Sequence, residues 1–445
     1  MVSFNQEQKK LLQVHSVFDI VGKLVQFIQI PLIVGAGVML IFILGETVTM
    51  DWRLSFVFMR GANNFTNKVA IASIDEETIY YDFIQQRKTY SPLDRSYLDS
   101  LIKAIEDYQP AVVGLDILLE APSDNPDTDN RLSKTLAKFP NMVIGSSLYF
   151  PPHGFPLELA PSPLFTHNTT LIGFANIMGM SPAQGTTKMR QYKLVEEASG
   201  EIIPSFAYSL YLNYLYSRKN PNTWLTGDLL RGALQEGILS FMDSTALNHT
   251  SGLSGKNLYV NYSGGAPVVI SARQIYHHLV NPDYLRNKIV LVGGFSERLR
   301  DNFETSVGRL PGVMIHSYIV SNLLENQVLK YPTFRLQFLF SIFFVLLGLL
   351  FLIWKGTVRG LYYTWLFLFI YWLAVFLLFW QYPAMWLPLN SPSLAVIGLT
   401  LCLFALHNLD PKWRESIGNF LLSIRTVGEK IIFRFYKSLG LFRSK

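Results

Sequence analysis

Four stretches of this chain, residues 24–45, 337–354, 361–380 and 391–408, run for 18 residues or more without one Asp, Glu, Lys or Arg. An α-helix rises 1.5 Å per residue, so about 20 apolar residues cross a hydrocarbon core of about 30 Å. Each stretch therefore reads as a membrane span. A secretory leader has an apolar run of only about 7–15 residues and ends at a small-residue cleavage site. The first stretch is 22 residues long and no Ala-x-Ala site follows it, so a retained anchor is expected. The composition agrees: half of the residues are hydrophobic and 16% are charged, against roughly a quarter charged in ordinary soluble domains.

Basic residues orient the spans, because loops on the cytoplasmic side carry the Lys/Arg excess. Lys9, Lys10 and Lys23 precede the first span, Lys355 and Arg359 lie between the second and third, and eight Lys/Arg against three Asp/Glu follow residue 408. Segment 381–390 has no charge. Both termini are then expected in the cytoplasm of a multi-pass plasma (inner) membrane protein. Residues 1–23 would form the cytoplasmic N-terminus, 24–46 the first span, 47–330 the extracytoplasmic domain, 331–409 three further spans and 410–445 a cytoplasmic tail. Residues 51–330 hold 24 Lys/Arg and 26 Asp/Glu, so the net charge of +6 belongs to the cytoplasmic edges. The pI near 9.1 is thus a topology signal, and no nucleic-acid partner is expected. The one cysteine, Cys402, lies in the fourth apolar stretch, so no disulfide staples the outer domain. A domain of this length buries an adequate core without one.

The outer segment alternates two patterns. Residues 69–74 (VAIASI), 111–119 (AVVGLDILL), 141–145 and 288–292 are short apolar runs rich in β-branched residues. Residues 91–107, 131–138, 205–216, 271–279 and 312–327 show helical spacing. Residues 171–175 and 257–261 read as further short strands. Strand–helix–strand alternation with strands apolar on both faces predicts an α/β domain, its mainly parallel mixed sheet flanked by helices, beside four transmembrane α-helices. Only about nine residues separate the last of these helices from the second span.

The stretches VAIASIDEET (69–78), SPLDRSYLDSLIKAI (91–105), AVVGLDILL (111–119) and NKIVLVGGFSERLRDNFETSVGRLPGVMIHSYIVSNLL (287–324) resemble the second type of CHASE domain, an extracytoplasmic sensor module of bacterial signalling proteins. The last stretch is the most specific, with strand, Gly pair, Asp-x-Phe and Pro-Gly-Val-x-Ile-His in the family's order. The resemblance covers roughly residues 50–330. It implies a receptor that binds a ligand outside the cell, spans the bilayer with three helices after the domain, and forms a homodimer. Family members usually continue into a cyclase or kinase; here a tail of 36 residues, 410–445, is expected after the spans. The output is therefore expected in a separate cytoplasmic protein.

In open parallel sheets, ligands bind beyond the carboxyl ends of the strands. Asp75 and Glu76 follow the first strand, Asp116 ends the second, Gly293 and Gly294 end the late strand, Asp301 lies in the loop after it, and His316 lies on the final helix. If the three strands are neighbours, these seven residues converge on one rim as ligand-binding candidates. The bland reading is that Asp75 caps a turn and Asp116 bonds to nearby backbone. His316 titrates near neutrality when unperturbed and is a candidate proton sensor. No His/Cys cluster has zinc spacing, and neither a Gly-x-Ser-x-Gly elbow nor a phosphate-binding Gly-rich loop occurs. No enzyme activity, cofactor or metal is expected. The spans hold no ionisable Asp, Glu, Lys or Arg, which disfavours a transporter. In residues 413–445, Trp413, Ile417, Phe420, Ile424, Ile431 and Phe435 recur at helical spacing beside basic residues. Such a helix lies on the anionic inner leaflet of the bilayer or docks the output protein. Two functions remain open: a sensor subunit that relays an external ligand, and a structural or assembly subunit of a larger membrane complex.

Overall fold

The computed structural model describes residues 65–328, except 152–155, 167–170, 178–188, 190, 199, 221–222, 231–256 and 263–264, and residues 334–407, except 356, 382–386 and 389. The first apolar stretch and the basic tail lie outside the described residues. The described residues fall into two units, one within 65–328 and one within 334–407.

In the first unit the strands are β1 (Val69–Ile74), β2 (Val112–Asp116), β3 (Met142–Tyr149), β4 (Leu157–Leu159), β5 (Leu171–Phe174), β6 (Gln191–Lys193), β7 (Val195–Ala198), β8 (Glu201–Pro204), β9 (Asn257–Tyr259), β10 (Val268–Ser271), β11 (Ile289–Gly294), β12 (Asn302–Thr305) and β13 (Gly308–Pro311). The helices are α1 (Arg95–Asp107), α2 (Pro126–Lys138), α3 (Phe206–Lys219), α4 (Ala272–Tyr276) and α5 (Gly312–Leu324). The main sheet runs β10–β1–β11–β2–β3, all parallel, with β5 parallel and β4 antiparallel on β3. Three two-stranded antiparallel ribbons, β6–β9, β7–β8 and β12–β13, complete the strands.

Side chains alternate across a strand, and here both faces are covered. Val69, Ile71, Val112, Val143, Ile289 and Leu291 pack under α3 and α5. Their neighbours Ala70, Ala72, Val113, Leu115, Val290 and Val292 pack under α1, α2 and α4. This three-layer arrangement explains why the strands read as unbroken apolar runs. Several helix starts are fixed by side chains. Asp94 accepts from Tyr97 N at 2.8 Å, Asn125 caps α2 ahead of Pro126, and Ser205 accepts from Tyr208 N at 3.3 Å. Each such cap is worth about 1 kcal/mol.

One helix ties the domain's two ends together. Near the C-terminus of α5, Ser321 Oγ accepts from Thr66 N at 3.2 Å, Tyr318 meets the Phe65 ring edge-on at 5.5 Å, and Lys68 lies 4.0 Å from Glu325. The chain thus enters the domain beside the helix by which it leaves. Asn322 of α5 also pairs with Asn261, accepting from its N–H at 2.8 Å and donating to its carbonyl at 2.9 Å.

The second unit holds α6 (Phe334–Lys355), α7 (Thr357–Gln381) and α8 (Asn390–His407). Two of its segments, Arg335–Lys355 and Arg359–Leu378, are long and apolar enough to cross a membrane. The apolar part of α8, Pro392–Leu403, is shorter. Phe344, Leu368 and Val396 form the buried contact among the three helices. A side chain at Gly348 would stand 2.5 Å from Leu399 Cδ2, so the glycine permits that approach, as small residues do between membrane helices. Trp372 donates to Ser393 Oγ at 2.9 Å. Phe338, Leu339, Leu346, Leu350, Phe369 and Leu377 are exposed, as lipid-facing residues are.

Candidate functional site

Strands β1, β11 and β2 are neighbours, and Ser73, Gly293 and Asp116 lie in one row across them. After β1 and β2 the chain turns to the face of α1 and α2, whereas after β11 it turns to the face of α5. Opposite turns from adjacent strands open a crevice at their carboxyl ends.

Two glycines close-pack this crevice. A Cβ at Gly293 would stand 2.7 Å from Val313 Cβ and 3.2 Å from Asp116 Cβ, so glycine alone lets α5 lean on β11 beside Asp116. A Cβ at Gly312 would stand 2.6 Å from Asp301 Oδ2. The Asp301 carboxyl therefore covers the first residue of α5, where the helix dipole favours negative charge. Its backbone carbonyl accepts from Gly312 N at 2.9 Å. Gly294 brings Leu299 and Asp301 against the end of β11.

His316, one turn along α5, completes the cluster. Its Nε2 is 3.1 Å from the Ala175 carbonyl and 4.0 Å from Asp116 Oδ1. A carbonyl needs a donor, so the neutral ring carries its proton on Nε2. The other nitrogen, Nδ1, is buried without a partner, and so are Asp116 Oδ2, Ser146 Oγ and the Tyr192 hydroxyl. Orphaned buried polar atoms are uncommon and call for a reason. His316 and Tyr192 line one small cleft with Phe174, Asn176, Ser205 and Ile319. It has about 10 Å³ open to the centre of a water molecule, room for about one.

Burial sets the charge states. It pushes the Asp116 carboxyl up to about 7. It pushes Asp301 up to about 7 as well, with the Asp116 charge adding and His316 opposing. Burial drives His316 down to about 4, with Asp301 and the Ala175 carbonyl partly offsetting. Near neutrality the imidazole is uncharged and the two carboxyls titrate as a pair.

Asp75 and Glu76 lie on the same rim but are engaged in the fold. Asp75 accepts from Thr78 N at 2.9 Å, Thr78 Oγ1 at 2.8 Å and Ser271 Oγ at 3.1 Å, capping the turn after β1 and tying it to β10. Glu76 accepts from Ser296 Oγ at 2.7 Å and Glu297 N at 3.1 Å, which holds the loop after β11. Of the seven candidates, Asp116, Asp301 and His316 are brought together, and Gly293 and Gly294 shape the packing around them. Tyr192 and the Ala175 carbonyl join the site without having been legible in the sequence. Among the described residues, no three His, Cys, Asp or Glu side chains are grouped to hold a metal ion.

Fold and crevice define an α/β domain with a cluster of titratable side chains at the switch point of a parallel sheet. The CHASE2 domain family matches residues 31–352, from within the first apolar stretch to late in α6. The chain belongs to the CHASE2 domain family, a family of extracytoplasmic sensor domains, and its role is sensory signalling at a membrane. Comparison with curated proteins and with solved structures yields no match.

Proposed function

We propose that this protein is a multi-pass membrane sensor with both termini in the cytoplasm, in which the crevice of Asp116, Asp301 and His316 is the site where the outside condition is read. The carrying observation is the course of α5. Its first residue touches Asp301, its second turn holds His316, and its last turns are bonded to Thr66 and Phe65, where the chain enters the domain. Its 13 residues span about 20 Å. Nine residues later α6 begins. A shift of α5 is therefore a shift of both connections toward the apolar segments. A signal moves such an equilibrium only by its differential affinity for the two states, and a cluster with orphaned buried atoms offers that difference. The output acts through a separate cytoplasmic protein docked on residues 413–445.

The test is capture of the intact chain from mild detergent, with and without residues 410–445. The sensor reading expects one cytoplasmic partner that is lost on truncation. Its recovery should change when α5 is locked to the segment preceding β1 by a disulfide between Thr66→Cys and Ser321→Cys. Unchanged capture in every variant, with a single large complex recovered throughout, overturns the reading in favour of an assembly subunit.

A further inference from the structure

We infer, resting on the sensor reading above, that the ligand read at this crevice is the proton, taken up by the buried Asp116 and Asp301 carboxyl groups beside the first turn of α5. The reason is the set of partners these carboxyls have. No Lys or Arg among the described residues forms an ion pair with either. The nearest base, His316, donates to the Ala175 carbonyl and is driven toward its neutral form by burial, so it offsets the burial of the carboxyls only in part. Asp116 Oδ2 receives no hydrogen bond. A carboxylate oxygen is acceptor-only and needs donors, whereas a protonated carboxyl carries a donor of its own. A burial without donors thus suits the protonated form and not the ionised one. A metal ion is a poorer fit, since among the described residues no third carboxylate or second histidine converges here.

The surrounding charges are occupied elsewhere. Glu76, at the end of β1, bonds Ser296 and Glu297 N and lies 3.8 Å from Arg298. Lys193 of β6 pairs with Glu196. Glu304 and Arg309 face each other across the β12–β13 ribbon. Arg300, in the loop itself, is exposed with a left-handed backbone. The first turn of α5 carries no acidic side chain, and Tyr192 is pushed up by burial, so its phenol stays neutral. His316 and the N-terminus of α5 favour the ionised form of Asp301, and burial outweighs them in carrying both carboxyls toward neutrality.

Loss of the proton places two negative charges in a crevice that offers Asp116 no donor. Asp301 stands against Gly312 too closely to admit even a methyl group. Relief requires the loop and the first turn of α5 to move apart and admit water. An extracytoplasmic domain would in this way convert external pH into a displacement of the helix that ends beside the membrane connections.

Hydrogen–deuterium exchange of the full chain in lipid nanodiscs, corrected for the intrinsic pH dependence of exchange, decides this. Protection across residues 308–320 should fall about tenfold between pH 6 and pH 8. Asp116→Asn and Asp301→Asn should each abolish the fall and hold the acidic-state protection at pH 8.5, while His277→Gln, at an exposed histidine outside the crevice, should leave the transition in place. A wild-type profile flat from pH 5.5 to 8.5 overturns the proposal even if the variants misfold, and so does an unchanged transition in the Asn variants. The same samples separate the two readings. A flat profile with a tail-dependent cytoplasmic partner still captured refutes the proton and keeps the sensor. A pH transition with no tail-dependent partner keeps the proton site and refutes the relay.

Discussion

Replacing Gly293 by alanine tests how the crevice is built. The new Cβ would stand 2.7 Å from Val313 Cβ and 2.9 Å from Val313 Cγ2. Ordinary carbon contacts begin near 3.5 Å, so β11 and α5 must part by most of an ångström. Val313 cannot rotate away, because the clash includes its Cβ and because a β-branched side chain in a helix is held to one rotamer. Overpacking of this kind costs about 1–3 kcal/mol. For a domain of some 250 residues each kcal/mol moves the midpoint by about 2–4 °C, so the apparent Tm should fall by roughly 2–12 °C. Gly294→Ala is the internal control. Its Cβ would be tight only against Leu299 Cδ1, at 3.2 Å, with Asp301 Cβ at an ordinary 3.7 Å, and a movement of the Leu299 side chain relieves it, so a change under about 2 °C is expected. Differential scanning fluorimetry of the two full-length variants in detergent supplies the comparison. Equal shifts, or a neutral Gly293→Ala, would refute the close approach of α5 to β11 on which the site geometry depends.

The titrating groups give stability a direction with pH. Asp116 and Asp301 hold protons in the fold that the unfolded chain releases, so their contribution is present at low pH and is lost as pH rises through about 7. His316, driven down to about 4, acts oppositely between about 4 and 6.5, favouring the fold as pH rises. Above about 6.5 only the carboxyl effect remains, so the apparent Tm should be lower at pH 8 than at pH 6.5, and Asp116→Asn should narrow that gap. Arg95→Met leaves the fully buried Asp129 carboxylate without the guanidinium 3.7 Å away and should cost about 3–5 kcal/mol in urea denaturation, most of which Arg95→Met/Asp129→Leu restores. Asp75→Ala removes the acceptor shared by Thr78 and Ser271 and should lower stability by about 1–2 kcal/mol while leaving the pH dependence unchanged.

Much of the fold was legible because each parallel strand is buried on both faces and so reads as a short apolar run. VAIASI is β1 residue for residue. Boundaries moved where a cap or a partner outside the run decided them. The first helix starts at Arg95, not at 91, because Asp94 caps it. The second begins at Pro126, not at 131, because Asn125 supplies the cap. The third strand extends past Gly145 to Tyr149, since its second half pairs with β4. Within the site, the strand-end rule located Asp116, Gly293 and Gly294. The sequence did not carry the insertion of β11 between β1 and β2, because strand order is set by pairings far apart in the chain. The same holds for Tyr192, which comes from an irregular stretch without periodicity, and for the Ala175 carbonyl, which lies at the end of an expected strand but reaches His316 across 141 positions. Local sequence likewise gave no sign that Thr66 and Phe65 bond to the helix leaving the domain, a contact across 255 positions in one case.

A sensor of outside conditions requires the α/β unit and the basic tail to lie on opposite sides of the bilayer. Leu279 is 75% exposed on that unit. With Cys402 replaced by serine, single cysteines at Leu279 and Lys437 can be labelled with a membrane-impermeant maleimide in oriented membrane vesicles. The account predicts labelling of the Leu279 position in right-side-out vesicles and of the Lys437 position only in inside-out ones. Labelling of both positions from the same side would contradict it.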